Sequence, residues 1–179
     1  MKKVKGSVLA PFAKTINADK SGIYDTILSA EARETVASHI INSAWYPYEI
    51  YRECFEAVVS VVAKGDLNIC TDWGREYSEK ILGTFYKAAL HQKDPEDGVK
   101  MFQTVWNNLF SFGSVSGNLL PGNELIISID FDRDFETWYY LAMGWIERNT
   151  EIVLNQKVKS EFTEKSWEGA PMTKIRLTW

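Results

Sequence analysis

The sequence has few of the residues on which metal and redox sites depend. It contains two cysteines and two histidines in 179 residues, and the cysteines do not form a C-x-x-C pair. We therefore expect no metal site and no redox dithiol. Cys54 and Cys70 each fall on an apolar helical stripe, where a free thiol acts as a small hydrophobic group. This cysteine usage is typical of a reducing compartment, so we expect a cytoplasmic protein.

Long hydrophobic runs and an excess of basic residues are also missing. No window approaches the roughly 20 apolar residues of a membrane span, and the lysine-containing N-terminus lacks the apolar segment of a signal peptide. We therefore expect no membrane span. The formal charge of −4 gives no general attraction to phosphates, so we expect no nucleic-acid partner. The one basic run, at residues 2–5, is interpreted as a solvated and mobile end.

Catalytic signatures are missing as well. The chain has no G-x-S-x-G, Walker A or G-x-G-x-x-G motif, and a Cys–His nucleophile would need an exposed cysteine beside a base. An acidic run could hold Ca²⁺ or Mg²⁺, or it could stabilise the N-terminus of a helix. The run lacks the order of a calcium loop, which favours the helix. Its residues are Asp130, Asp132, Asp134 and Glu136. We predict no catalytic residues and no enzyme.

Aromatic residues are abundant, at 13% of the chain with seven tryptophans. They are densest in the segment 43–66, where Pro47 fits the first turn of an apolar helix. Apolar residues at three- and four-residue spacing predict helices through most of the first 110 residues. The predicted helices cover 6–17, 23–28, 30–41 with Ser29 as N-cap, 47–64, 69–91 and 95–110.

The composition changes at Ser111, after which glycines and prolines separate short runs rich in β-branched residues. We predict a hairpin that leads into a strand at 124–131, a helix at 134–150, and strands at 152–162 and 172–179. Helices and strands that segregate in this way indicate an α+β fold with an antiparallel sheet. The prediction is a helical N-terminal two-thirds followed by a β-β-α-β-β unit. We expect one domain over 1–179, mainly helical over 1–110, with the sheet and a helix over 111–179.

A spaced set of residues carries a family resemblance. These residues are the Ser43–Pro47 entrance, Tyr51, Gly65 and Asp66, Trp106, Gly113, Gly144 and Trp179. In them the chain resembles a family of uncharacterised bacterial proteins allied to the haem-nitric-oxide-binding (H-NOX) domains. The same superfamily contains 4-vinyl-reductase-type sensing domains and vesicle-tethering (TRAPP) subunits. The resemblance implies an α+β sensory fold, whose relatives bind haem, aromatic effectors or other proteins.

The haem function of that family can be compared with individual residues. H-NOX haem domains use a helical histidine as iron ligand and a Tyr-x-Ser-x-Arg clamp for the propionates. This chain has no Tyr-x-Ser-x-Arg, and its histidines are His39 and His91. His91 ends a predicted helix, where an imidazole meets the last carbonyl groups, and His39 is interpreted as structural. We therefore expect no haem and no other cofactor.

The aromatic residues of the predicted helices have two interpretations. They could line a pocket between the helices and the sheet, or they could fill the core and satisfy their polar groups locally. The candidate ligand-binding residues are Trp45, Tyr48, Tyr51, Trp73, Tyr77, Trp106 and Phe110.

Two functions follow from these two interpretations. The first is a non-catalytic small-molecule-binding or sensory domain that responds to a small apolar or aromatic molecule by shifting a homodimer or partner contact. The alternative is a scaffold or protein-interaction module with a filled core and no ligand. A cavity of a few hundred Å³ would favour the sensory domain, and a filled core with an exposed apolar face would favour the scaffold.

Overall fold

The computed structural model describes residues 1–85 and 95–179. These residues form two compact units. The first unit comprises Met1–Gly65 and Asn107–Phe112, and the second comprises Asp66–Trp106 and Gly113–Trp179. The predicted α+β class is confirmed, with helices concentrated in the N-terminal part and strands in the C-terminal part.

The first unit consists of short helices and a two-stranded antiparallel sheet. Its elements are β1 (Lys3–Lys5), α1 (Gly6–Ala18), α2 (Ile23–Ile27), α3 (Ala30–Ala37), β2 (Trp45–Pro47), α4 (Tyr48–Val58) and a π-helical turn (Val59–Ala63). The predicted cap of α3 is confirmed, because the Ser29 hydroxyl accepts a hydrogen bond from the Ala32 backbone N–H at 3.1 Å.

The basic run at the N-terminus is part of the fold, which corrects the prediction of a mobile end. It forms β1, which pairs antiparallel with β2 in a register that sets Val4 opposite Tyr46. Val4 is fully buried, and the Lys5 ammonium lies 4.2 Å from the centre of the exposed Trp45 ring. A three-residue strand is too short for alternation of polar and apolar residues to reveal it.

The second unit contains a four-stranded antiparallel sheet in the order β3-β4-β6-β5. Its elements are α5 (Leu67–Phe85), most of α6 (Pro95–Leu109), β3 (Ser114–Leu120), β4 (Glu124–Asp130), α7 (Glu136–Leu154), β5 (Lys159–Glu164), a 3₁₀ turn (Ser166–Glu168) and β6 (Thr173–Thr178). The predicted β-β-α-β-β unit is confirmed. The strand predicted from residue 152 begins only at Lys159, because α7 continues to Leu154 and ends at Asn155 with φ = 52°. His91 lies outside the described residues.

The sheet buries alternate residues of its central strands. Leu125, Ile127 and Ile129 of β4 are buried, as are Ile175 and Leu177 of β6. This alternation is the pattern of a sheet with one face packed against helices. In residues 1–85 and 95–179, no helix is both long enough and apolar enough to cross a membrane.

Two glycines bring α5 and α7 into backbone contact. A Cβ atom at Gly74 would lie 2.0 Å from the Leu141 carbonyl oxygen, and one at Gly144 would lie 1.9 Å from the Thr71 carbonyl oxygen. Any side chain at either position would overlap the facing helix. The spacing of these two helices therefore depends on both residues being glycine.

Candidate ligand-binding cavity

The second unit contains a cavity of about 50 Å³ between α6, β4 and α7. The residues that face the cavity recur every three or four positions in the two helices and every two positions in the strand. The lining side chains include Val99, Phe102 and Val105 of α6, Leu125 and Ile127 of β4, and Trp145, Asn149 and Val153 of α7. The wall is predominantly apolar, as in small-molecule sites.

One side of the cavity is aromatic. The ring centroids of Phe102 and Trp145 lie 4.9 Å apart, and Phe102 makes an edge contact with Trp106 at 6.4 Å. Trp106 in turn packs edge-on against Phe131 at 5.4 Å and Trp138 at 5.7 Å. These five rings form a continuous cluster, which we call the aromatic wall. Phe102 and Trp145 line the cavity, and the other three rings extend the cluster into the core. Such pairs hold their rings in defined orientations and add rigidity to the site.

Three residues bring polar groups to the cavity. The Asn149 side-chain oxygen accepts a hydrogen bond from the Ser78 hydroxyl at 2.8 Å, and the Thr150 hydroxyl donates to the Ile146 carbonyl at 2.9 Å. The Trp145 indole nitrogen is fully buried and has no hydrogen-bond partner among the described residues. An unmatched donor therefore belongs to a residue that lines the cavity.

Ion pairs hold α7 in place next to this site. The buried carboxylate of Glu147 accepts a hydrogen bond from Arg75 Nε on α5 at 3.1 Å and another from the Ser160 hydroxyl on β5. The hydrogen bond to Glu147 is the main cause of the raised pKa of Arg75. One carboxylate therefore links three elements of the second unit, and it lies on the helix that forms a wall of the cavity.

The predicted site residues of the first unit lie mostly in its core. Tyr48 and Tyr51 are buried with ring centroids 6.3 Å apart, and Tyr48 packs against Phe112 at 4.8 Å. Phe110 is also buried, whereas Trp45 is 40% exposed. The structure brings the two tyrosines together and leaves Trp45 at the surface.

The remaining predicted site residues belong to the second unit. Trp106 is buried in the aromatic wall, and Trp73 and Tyr77 are half-buried on α5. None of the seven predicted residues lines the cavity of the second unit, and their role in ligand binding stays a prediction. Sequence reasoning missed Val99, Ile127 and the pair Phe102–Trp145 as site residues. Helical and strand periodicity marked them as inward-facing, but it does not distinguish a cavity wall from a filled core.

Both cysteines are buried and protonated. Burial raises the pKa of Cys54 to about 12, with a further contribution from the nearby Glu53 carboxylate. Burial also raises the pKa of Cys70 to about 11, and the Asp66 charge adds to this shift against an opposing backbone hydrogen bond. A protonated thiol is a poor nucleophile and a poor metal ligand. Among the described residues, no group of three or more His, Cys, Asp or Glu side chains is arranged to hold a metal ion.

Comparison with known proteins gives matches in structure and none in sequence. No protein-family model and no curated protein sequence matches the chain. The chain superimposes on an Fe(II) unliganded H-NOX protein from K. algicida with a TM-score of 0.67 and 12% identity, over 97% of this chain and 95% of that one. An H-NOX protein from S. oneidensis in the Fe(II)NO state gives a TM-score of 0.67 and 12% identity, with 97% of each chain covered. The chain has an H-NOX-like fold.

An oxygen complex of an H-NOX domain related to soluble guanylate cyclases extends the comparison. It matches with a TM-score of 0.63 and 13% identity, over 97% of this chain and 94% of that one. The H-NOX-like fold confirms the resemblance that the sequence pattern indicated.

The expectation of no cofactor is contradicted by these comparisons. The matched structures include H-NOX proteins with Fe(II) and one from a study of haem distortion in the H-NOX family. The fold that this chain adopts therefore holds haem in other proteins. The expectation rested on the missing Tyr-x-Ser-x-Arg motif and on the presence of only two histidines. A sequence motif of this kind describes the binding site of one family and does not describe every protein with the same fold.

The described residues around the cavity do not fit a porphyrin. Pockets for cofactor-sized molecules usually measure about 300 Å³ or more, several times the volume found between α6, β4 and α7. Haem iron is held by histidine, cysteine thiolate, methionine or tyrosine. Among the described lining residues only Met101 belongs to these types. His39 is exposed on the first unit. The described lining of this cavity therefore does not fit haem.

Proposed function

We propose that this protein is a non-catalytic sensory domain that binds a small apolar molecule in the cavity of its second unit. The supporting observation is the cavity itself, which is apolar and bounded on one side by the aromatic wall. An apolar cavity in a protein core stays dry and gains free energy when an apolar molecule fills it. The compared H-NOX proteins bind oxygen and nitric oxide, which are also small molecules with few polar atoms.

The volume limits the size of the ligand. A cavity of about 150 Å³ accommodates benzene or xenon, and this one measures about 50 Å³. The ligand is therefore smaller than benzene, with about two heavy atoms on that scale, or a single large atom such as xenon. An aromatic effector would require a cavity of a few hundred Å³, which is several times the volume of this one.

Signalling would follow from a difference in ligand affinity between two states of the second unit. A ligand that binds one arrangement of α6 and α7 better than another shifts the population toward that arrangement. We propose that a homodimer or partner contact responds to this shift, in one cytoplasmic domain over 1–179.

A scaffold without a ligand is the second candidate function. The small cavity volume favours it, as does the close packing of large side chains elsewhere. Tyr51, Phe55, Phe135 and Tyr139 are each less than 2% exposed. In that case the cavity would be a packing defect, which interiors tolerate in small numbers.

Xenon binding followed by methyl NMR tests the proposal. Under xenon pressure, we expect the methyl resonances of Val99 and Ile127 to shift and saturate, because both side chains line the cavity. The variant Val153→Phe places a ring at the cavity wall and should abolish the shifts. The control Ile152→Phe changes the neighbouring residue of α7, which does not line the cavity, and should leave the shifts in place.

Two results would reject the sensory proposal in favour of the scaffold. One is the absence of xenon-dependent shifts at both methyl positions, and the other is an equal loss of the shifts in both variants. An absorption spectrum and a native mass spectrum of the purified protein would report separately whether haem or another molecule copurifies.

A further inference from the structure

We infer that strand β3 is a homodimer interface, at which the β3 strands of two copies pair antiparallel about Gly117 and join two four-stranded sheets into one. β3 is an outer strand of the sheet order β3-β4-β6-β5. The inference specifies the homodimer contact of the proposed function, and it rests on that function for the role of the contact. The evidence for the interface lies in the strand itself and does not involve a ligand.

The two outer strands of the sheet differ in how they are protected against pairing. β5 has the sequence KSEFTE, which includes charges of both signs, and its register shifts between Phe162 and Glu164. Charged side chains and bulges commonly block an outer strand against a further strand. β3 has the sequence SVSGNLL, without charge or proline, and it pairs with β4 over its full length without a register shift. β3 therefore lacks the protection that β5 has.

The backbone groups of alternate β3 residues point away from β4. Just before β4, the Asn123 carbonyl accepts a hydrogen bond from the Trp179 N–H at 3.2 Å, in the register of the β4–β6 pairing. Odd-numbered residues of β4 therefore bond to β6, and even-numbered ones bond to β3. Even-numbered residues of β3 and β4 lie opposite each other. The N–H and C=O groups of Val115, Gly117 and Leu119 therefore face outward.

The contacts at this edge agree with that assignment and leave the edge open. Gln103 Nε2 of α6 donates a hydrogen bond to the Val115 carbonyl at 3.2 Å, and a carbonyl oxygen has two lone pairs, so it can accept a second one. Within 1–85 and 95–179, no other hydrogen bond reaches the outward groups of β3. The exposed residues of the strand are Ser114, Ser116, Asn118 and Leu119.

A second copy of β3 fits this edge because the strand is complementary to itself. Antiparallel pairing about Gly117 places Val115 opposite Leu119 of the partner subunit. Residues with outward backbone groups then lie opposite one another, as the hydrogen-bonded pairs of an antiparallel ladder require. Each contact occurs twice, which is the property of an interface with a two-fold axis.

The side chains of β3 also favour pairing with a second copy. Leu119 lies opposite the buried Leu125 of β4, so its side chain is on the apolar face of the sheet, yet it is 40% exposed. Pairing gives it Val115 of the partner subunit as a cross-strand neighbour on that face. On the other face, Ser116 lies opposite Asn118 of the partner subunit. All of these side chains are uncharged, so no like charges oppose the pairing.

Gly117 connects this interface to the cavity. A Cβ atom at Gly117 would lie 2.5 Å from Val99 Cγ2, and Val99 lines the cavity. The central residue of the inferred interface therefore packs directly against a side chain of the cavity wall. A ligand that displaces Val99 would also act on the strand at which two copies meet.

Sedimentation velocity of the full chain, from micromolar to millimolar concentration, tests for the dimer. We expect the wild-type protein to dimerise reversibly. Leu119→Lys should weaken dimerisation about tenfold or more, because a buried charge enters the interface twice. The matched control is Val62→Lys, which makes a similar change at a residue of the first unit that is 45% exposed. It should leave dimerisation unchanged.

Disulfide formation tests the register of the pairing. Ser116 and Asn118 of the partner subunit would form a non-hydrogen-bonded pair with Cα atoms about 4.5 Å apart, which is within the range of a disulfide. An oxidised equimolar mixture of Ser116→Cys and Asn118→Cys should therefore give a cross-linked heterodimer. Each variant alone is a control, because identical positions are offset by two residues and their Cα atoms lie about 8 Å apart. The native cysteines are buried.

Three results would overturn the inference. They are a monomer at every concentration, a dimer that Leu119→Lys leaves intact, and disulfides that form as readily in either cysteine variant alone as in the mixture. The cross-link provides a decision even where Leu119→Lys does not fold. Xenon-dependent shifts in a monomer would reject the interface and retain the ligand. A heterodimer cross-link without xenon-dependent shifts would retain the interface and reject the sensory function.

Discussion

Glu151 shows how single side chains fix the end of α7. Its carboxylate pairs with Arg148 at 2.9 Å and with Lys157 at 3.4 Å, and it also accepts a hydrogen bond from the Val158 backbone N–H. Burial alone would raise the pKa of Glu151. The hydrogen bonds from Arg148, Val158 and Lys157 outweigh that effect, so the pKa is lowered. The charged form is therefore favoured in the folded state.

This lowered pKa predicts a specific loss of stability in acid. A carboxyl group whose folded pKa lies below its unfolded value of about 4.3 stabilises the fold fully above that value, and the stabilisation disappears as the pH falls through the folded pKa. We expect Glu151→Gln to reduce the free energy of unfolding at pH 7 and to flatten its decline below about pH 5. Urea denaturation from pH 7 to pH 3 measures both effects. Substituting the exposed Glu34 of α3 with Gln should change neither, and an unaltered acid decline in Glu151→Gln would contradict the prediction.

At the scale of elements, the crossing of α5 and α7 is constrained by two glycines. Gly74 and Gly144 each face a carbonyl oxygen of the opposite helix at a distance that no Cβ atom tolerates. The same two helices carry the Arg75–Glu147 pair, so a shift of the crossing would also disturb a buried charge.

We expect Gly144→Ala to lower the free energy of unfolding by about 3 kcal/mol, the upper part of the range for overpacked interiors. The matched control is Gly98→Ala on α6, where a Cβ atom meets nothing within 4 Å. That substitution should stabilise the protein by up to about 1 kcal/mol through helix propensity. Chemical denaturation of both variants checks the opposite signs. Equal effects would show that the crossing does not depend on glycine.

Elements with several turns or strong β-branched runs were predictable from sequence. The three- and four-residue spacing around Tyr51 predicted α4, and the ELIISIDF run at 124–131 predicted β4. Strand β1 was missed because one inward residue, Val4, carries no periodicity. The end of α7 was misplaced because Ile152 and Val153 are β-branched, yet the helix continues through them to Leu154.

The candidate cavity was less predictable than the fold. Periodicity marks Phe102 and Trp145 as inward-facing, but whether their rings meet or leave space depends on the distance between α6 and α7, which no local pattern encodes. The lack of a partner for the buried Trp145 N–H was equally unpredictable, because only the packed structure decides whether an acceptor lies beside it. The expectation of no cofactor failed for a different reason. It compared residues with one motif, whereas the matched H-NOX structures share the fold at 12–14% identity.

At the scale of the whole molecule, the chain passes between its two compact units three times, after residues 65, 106 and 112. Six of the seven tryptophans lie in the second unit, and Trp45 alone lies in the first. Tryptophan fluorescence therefore reports mainly on the second unit. A test of whether residues 1–179 form one domain therefore needs a probe in each of the two units.

The two buried cysteines supply that measurement. Cys54 belongs to the first unit and Cys70 to the second, and each is fully buried. An alkylating reagent at neutral pH should label either thiol only when its unit opens, because the closed forms hold protonated and inaccessible thiols. For one cooperative domain, we expect the two labelling rates, followed by peptide mass spectrometry, to give the same opening free energy and the same dependence on urea. Rates that diverge would show two units that open separately.

The labelling rates of these two cysteines report the opening of the two units separately, because each unit contains one of them. Because the native sequence contains no other thiol, the readout needs no engineered label and no substitution that would disturb packing. A ligand that fills the cavity of the second unit should slow the labelling of Cys70 by mass action. If the same ligand also slows the labelling of Cys54, the first unit is stabilised by binding in the second. The ratio of the two changes in labelling rate measures how much of the binding free energy also stabilises the first unit.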